Sequence, residues 1–280
     1  MISSVVPAVL GAATLTGAGL AVLRGMRSPS SQLLAPSVSR VPNGYRQIAL
    51  TFDDGPSEET PALLELLAKY RIRATFFVCG KNVKRLPHIA RAIVEAGHEL
   101  GNHTHGHARL SPRLSWDVNL FSESDMVEEM RRAQTCIHHH TGVWPRYFRA
   151  PYGLRWFGLR GAQRKLGVQG VTWSVIGHDW EWDRHRIAEH LIHNTEPGGI
   201  VCLHDGRDIR KEVNLSEMLA ALEAVLPVWR ARGLRVGTVH ELMQAGVRRR
   251  SSGRSRGSSR RRHGVRRRED AMAGSSSAAR

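Results

Sequence analysis

The chain has 280 residues and a formal charge of +16, and residues 247–280, with 12 Arg against one Glu and one Asp, supply +10 of it. Basicity is thus mainly a tail property and says little about the body, which is long enough to bury a sizeable core. Three cysteines, an odd number, exclude a disulfide framework.

Val5 to Leu23 carries no charge. As a helix it would reach roughly 28 Å, close to the bilayer core thickness. Residues 1–26 therefore read as a signal anchor, with a cleaved signal peptide as the alternative. Arg24 and Arg27 follow the run and favour a cytoplasmic catalytic unit. A Ser/Pro-rich stretch, residues 27–44, reads as a linker.

From residue 45 to 245 short apolar strands alternate with amphipathic helices. Strands are expected at Ile48–Phe52, Ala74–Cys79, His98–Gly101, Tyr147–Arg149, Gly170–Val175, Ile200–Leu203 and Leu234–Thr238. Helices are expected at Thr60–Tyr70, Pro87–Ala96, Ser124–His138, Phe157–Leu166, Arg184–His193, Ser216–Arg232 and Val239–Gln244. Thr60 is a candidate N-cap, with Pro61 at the first helical position. Sustained βα alternation implies a parallel sheet with helices outside, and seven units in about 200 residues fit a closed or nearly closed barrel. Residues 246–280 form an Arg-, Ser- and Gly-rich tail that cannot bury enough surface to fold alone. Arg clusters of this kind grip polyanions with little sequence preference, so an accessory contact is expected there. The body shows no recognisable nucleic-acid-binding motif.

Chemistry in parallel βα folds collects at the carboxyl ends of strands. Five polar clusters lie there: Asp53-Asp54, His103 to His107, Arg149 to Tyr152, Asp179-Trp180 and His204-Asp205. Asp53-Asp54-Gly55-Pro56 is also ordinary turn chemistry, so the acid pair alone proves little. His103 and His107, four apart, can bring two imidazoles to one side. Two imidazoles and one carboxylate make a three-ligand set with open positions, as in catalytic zinc sites. His138-His139-His140 ends a helix, where cationic side chains suit the dipole.

Thr51-Phe52-Asp53-Asp54-Gly55-Pro56, His103-Thr104-His105-Gly106-His107, Arg149-Ala150-Pro151-Tyr152, Asp179-Trp180 and Leu203-His204-Asp205 occur in the order of five motifs. In this the chain resembles the polysaccharide deacetylases of the NodB-homology type, carbohydrate esterase family 4, over about residues 45–245. The resemblance implies a distorted (β/α)7 barrel and a metal-dependent amide hydrolase acting on N-acetylated sugars. Such an enzyme would face the cell envelope, against the charge bias of Arg24 and Arg27, and the orientation stays open between the two. The resemblance makes Asp54, His103 and His107 the metal ligands, for Zn²⁺, Co²⁺ or another divalent ion. Asp53 is then the general base and His204 the general acid that protonates the departing amine. Asp179 orients His204, Arg149 pairs with Asp53, and the Tyr152 backbone N–H helps hold the oxyanion. Tyr152, Trp180 and Cys202 are expected to line the acetyl pocket. Cys202 stands where the family usually has Leu, which would loosen that pocket. Gly106 replaces a frequent Ser, removing a hydroxyl but no ligand. The same chemistry could serve an O-acetyl esterase on a polymer such as acetylated xylan, and a polyanion-binding envelope protein is a third reading.

Overall fold

The computed structural model describes residues 19–42, 46–110 and 122–246. Most of the expected anchor, residues 1–18, and the basic tail from residue 247 lie outside the described residues. Among those described, no helix is long and apolar enough to cross a membrane.

Among the described residues nine strands form one sheet: β1 (Ser37–Val38), β2 (Gln47–Asp53), β3 (Thr75–Val78), β4 (Glu99–Asn102), β5 (Tyr147–Phe148), β6 (Gln169–Val171), β7 (Val175–Ile176), β8 (Ile200–His204) and β9 (Arg235–Gly237). Their order is β1-β6-β5-β4-β3-β2-β8-β7, with β9 pairing the first half of β2, and every ladder is parallel. The sheet curls into a half-barrel with edges at β1 and β7, the distorted βα barrel that the resemblance implies.

All seven residues of β2 are buried because both faces are covered. Ile48, Leu50 and Phe52 pack outward against Leu63 and Leu67 of α1 (Thr60–Tyr70) and the neighbouring helices. Ala49 turns inward with Phe77, Ile200, Val239 and Leu242. The period of two then carries Thr51 and Asp53 up the same interior column. Residues 239–246 are helical, and Val239 and Leu242 close the lower end of the barrel. At that end the first half of β2 is Gln47–Ala49, beside β9.

Four expectations change. Residues 28–42 are packed rather than a free linker: Leu34, Ala35 and Ser37 are buried, and β1 joins the sheet edge. The strand expected over Gly170–Val175 is divided into β6 and β7, because its halves have different neighbours. Thr172 N donates to Val38 O whereas Ser174 N donates to Ile200 O. Thr60 does not cap its helix; Glu59 holds the cap position without a side-chain bond. Thr60 Oγ1 instead accepts from Ser57 N at 2.9 Å and donates to Asp205 Oδ2 at 2.8 Å. A short helix, α2 (Gly80–Arg85), stands between β3 and α3 (Pro87–Glu95) where none was expected. The long helix α4 (Glu123–Thr141) starts at a Ser122–Asp125 capping box and stops at left-handed Gly142.

Candidate active site

The carboxyl ends of the strands surround a cleft of about 540 Å³. Asp53, Asp54, His103, His107, Tyr152, Trp180 and His204 line it, as the five motifs predict.

Asp53 and His204 are register partners on β2 and β8. Asp53 Oδ1 receives Arg149 Nη1 at 2.6 Å. Arg149 is fully buried; its Nη1 also donates to Thr51 Oγ1 at 2.8 Å and its Nη2 to Thr172 O at 3.0 Å. The guanidinium lies 4.2 Å from the Phe77 ring centroid and 5.6 Å from that of Trp173. A buried cation with this many partners holds the facing carboxylate in one place.

Asp54 turns the other way. Its φ of 73° is left-handed, so consecutive acids reach into one cleft rather than opposite faces of a strand. Asp54 Oδ1 lies 3.2 Å from His103 Nε2 and 3.0 Å from His107 Nε2. The far nitrogen of each ring is engaged: His103 Nδ1 is 2.8 Å from Arg149 O and His107 Nδ1 is 2.6 Å from Asp208 Oδ1. Arg149 O only accepts, so His103 Nδ1 donates; the Asp208 carboxylate beside His107 Nδ1, a charge contact rather than an aligned hydrogen bond, favours a proton on that nitrogen too, and in a neutral imidazole Nε2 is left as a lone pair. Two lone pairs then face the buried Asp54 Oδ1, which has no hydrogen-bond donor. Three acceptors converging without a donor are what a divalent cation fits.

On the other wall, His204 Nδ1 lies 2.9 Å from Asp179 Oδ1, and His204 N donates to Asp179 Oδ2 at 3.0 Å. Burial lowers the His204 pKa, but the Asp179 carboxylate more than reverses this and raises it to about 9. The Trp180 ring stands edge-on to His204 at 5.1 Å. Tyr152, at φ 60°, sets its ring 4.7 Å from His107 and donates its hydroxyl to Asp208 Oδ1 at 3.2 Å.

Cys202 is corrected. It does not line the cleft, being fully buried with Sγ 3.4 Å from Asp53 Oδ2. Two residues before His204 on the same strand, it points inward one pleat below it. Burial, and then Asp53, push the thiol well above its ordinary value, so it remains a donor to that carboxylate. The apolar wall is made by Trp173, Ile176 and Trp180 instead.

Sequence reasoning missed Asp208, Asn82 and Arg207. Asp208 N donates to Asp54 Oδ2 at 2.9 Å while its carboxylate orients His107. Asn82 Nδ2 ties together Asp54 O at 2.6 Å and Asp208 O at 2.9 Å. Arg207 Nη2 donates to Asp179 O at 2.8 Å. The signal for Asp208 was its position, three residues past Asp205 on the same loop. Beneath them Asp205 is buried so close to Gly55 that a Cβ there would collide with its carboxylate. Burial pushes Asp205 up to about 7, against the lowering bond from Thr60.

Residues 40–171 match the family model described as Polysaccharide deacetylase. A chitooligosaccharide deacetylase of Azorhizobium caulinodans is 35% identical over 206 residues, 70% of this chain and 93% of that one. A peptidoglycan-N-acetylglucosamine deacetylase of Bacillus cereus is 35% identical over 208 residues, 73% of this chain and 91% of its own. Among solved structures, the Bc1960 peptidoglycan N-acetylglucosamine deacetylase, in complex with an N-oxidanyl-benzamide, is similar at TM-score 0.65. It is 28% identical, covering 73% of this chain and 91% of that chain. A Bacillus anthracis pseudoenzyme of carbohydrate esterase family 4 is also similar, at TM-score 0.64 and 25% identity over 76% of this chain and 72% of its own. Fold alone therefore does not separate active from inactive members, and the side chains must carry that argument. With curated relatives this similar along nearly their whole length, the chain belongs to the polysaccharide deacetylase family.

Proposed function

We propose that this protein is a metal-dependent hydrolase that removes acetyl groups from N-acetylated amino sugars of a polysaccharide or oligosaccharide. The observation that carries the reading is the β2–β8 register, which sets Asp53 and His204 side by side next to the Asp54–His103–His107 cluster. A divalent cation at Asp54, His103 and His107 supplies Lewis acidity toward water and the amide carbonyl. Two imidazoles and a carboxylate favour Zn²⁺, with Co²⁺ as the nearest substitute.

Asp53, held by Arg149, accepts the proton of the attacking water. The new C–O bond forms as the carbonyl pair moves to oxygen, which the Tyr152 backbone N–H would help hold. As the C–N bond breaks, protonated His204 gives its proton to the sugar nitrogen, and acetate leaves. An amine needs that proton far more than an alcohol does. A histidine held cationic to about pH 9 beside Asp179 therefore supports the amide reading over an O-acetyl esterase. Trp173, Ile176 and Trp180 offer the methyl an apolar wall. The named relatives act on chitooligosaccharide or peptidoglycan N-acetylglucosamine, which supports a glucosamine-type substrate here. Such polymers also favour an envelope-facing enzyme, attached through the uncharged run Val5–Leu23.

The test is acetate release from N-acetylglucosamine oligomers and from acetylated xylan. We expect release from the oligomers that disappears on chelation and in Asp53→Asn. Release from xylan alone would overturn the amide reading.

A further inference from the structure

The N-terminal helical segment is not tethered to the barrel but seated on it. Residues 19–27 are helical, and Met26 is buried with Leu34 and Leu154. Arg155 N donates to Met26 O at 3.1 Å. The Arg155 guanidinium, itself 1% exposed, donates to Ser31 O at 2.7 Å and to Ser28 O. Thr172 Oγ1 donates to Pro29 O at 2.8 Å, and Arg160 Nη2 to Gln32 O at 3.1 Å. A buried guanidinium bonded to the carbonyls of Ser28, Pro29 and Ser31 leaves this junction little freedom.

Beside the junction four large apolar side chains face outward: Leu20 at 67%, Leu23 at 42%, Leu33 at 57% and Phe157 at 57% exposure. Exposed Arg24, Arg27, Arg160 and Arg164 flank them in sequence. The uncharged run from Val5 ends at Leu23, so the patch continues a segment long enough to span a bilayer. Apolar side chains within a basic border match an anionic bilayer surface, where each cation and each buried ring adds to attachment.

We infer that Leu33, Phe157 and the end of the 19–27 helix form a docking face for an anionic lipid bilayer. The cleft is held close to it. Tyr152 is five residues from Phe157, a chain distance of at most about 18 Å. The mouth is thereby presented to glycans lying at the membrane surface. This rests on the membrane-attached reading of the chain but not on the deacetylase reading.

The full chain is reconstituted in phosphatidylcholine–phosphatidylglycerol vesicles doped with an acyl-chain diazirine lipid, and adducts are mapped by peptide mass spectrometry. Adducts are expected on the peptides carrying Leu33 and Phe157 as well as on 5–23, and not on the peptide carrying Trp144. Trp144 is 55% exposed but precedes β5, at the opposite end of the barrel. The double variant Leu33→Glu/Phe157→Glu should lose roughly tenfold of the adducts on those two peptides. It should keep the wild-type rate on a soluble substrate. Adducts confined to 5–23, or equal labelling of Trp144, would overturn the docking face. Protection of the Leu33 and Phe157 side chains from a water-soluble hydroxyl-radical probe without vesicles would also overturn it, pointing to residues 1–18 or a second copy as the cover. Lipid adducts in a protein that releases no acetate would overturn only the deacetylase reading.

Discussion

Asp53 and Asp54 are chain neighbours whose carboxylates face different partners: Asp53 meets Arg149 at 2.6 Å, and Asp54 meets His107 at 3.0 Å. The left-handed turn at Asp54 makes this possible by bringing both side chains into one cleft. Their losses should therefore differ in kind. Asp54→Ala is expected to lose bound metal, whereas Asp53→Asn retains it and loses about 10²–10⁴ in kcat. Metal content after dialysis and acetate release, measured on the same preparations, check both. Equal metal loss in the two would mean the roles are wrongly divided.

Asp208 sets its carboxylate against His107 Nδ1 and donates its backbone N–H to Asp54. Such outer partners commonly tune metal affinity about 10–100-fold. Asp208→Ala should weaken metal binding by that order while leaving the fold intact. Competition with a calibrated chelator measures it, and unchanged affinity would remove Asp208 from the site.

What could be read from the sequence follows a physical line. Strand ends, carboxylate pairs and His spacing are local patterns, so Asp53, Asp54, His103, His107 and His204 were legible as one cluster. The inward column Ala49–Thr51–Asp53 was also implicit in the period of two. Applied to β8, the same period would have placed Cys202 under His204 rather than in the acetyl pocket. Thr60 looked like a cap because capping is judged locally, yet its hydroxyl is taken by Asp205, 145 residues away. The division of Gly170–Val175 was hidden for a similar reason. Nothing inside that segment announces that its halves pair with Val38 and Ile200.

Arg149 and Asp53 form a buried pair, so removing one leaves the other uncompensated. Arg149→Leu should cost about 3–5 kcal/mol of stability. Arg149→Lys cannot reproduce the three bonds of the fork and should restore little. The double variant Arg149→Leu/Asp53→Asn should regain part of the stability and none of the activity. Denaturant unfolding and acetate release separate the two effects. A stable, active Arg149→Leu protein would show that the pair holds nothing.

Cys202 now predicts an effect on rate rather than on acyl choice. Its thiol touches Asp53 Oδ2, so Cys202→Ala should lower kcat while the acetyl-to-propionyl preference stays unchanged. Cys202→Ser keeps a donor and should retain more activity. Ile176→Ala, on the cleft wall, should instead relax the preference toward propionyl by roughly tenfold. Paired N-acetyl and N-propionyl oligomers measure both, and a preference shift in Cys202→Ala would return it to the pocket.

Asp179 raises the His204 pKa from 6.5 to about 9, and the sign of that shift fixes two pH responses. The proton-donating form persists until about pH 9, so kcat/KM should fall on the alkaline side near that value. Because the folded-state pKa lies above the unfolded one, the Asp179–His204 pair stabilises the protein fully below pH 6.5. That contribution is lost as pH rises through about 9. Asp179→Asn removes the carboxylate but keeps the shape, so the alkaline limb should move down toward 6.5. The stability difference between wild type and variant should shrink over the same interval. A limb that stays near 9 in Asp179→Asn would assign it to a group other than His204.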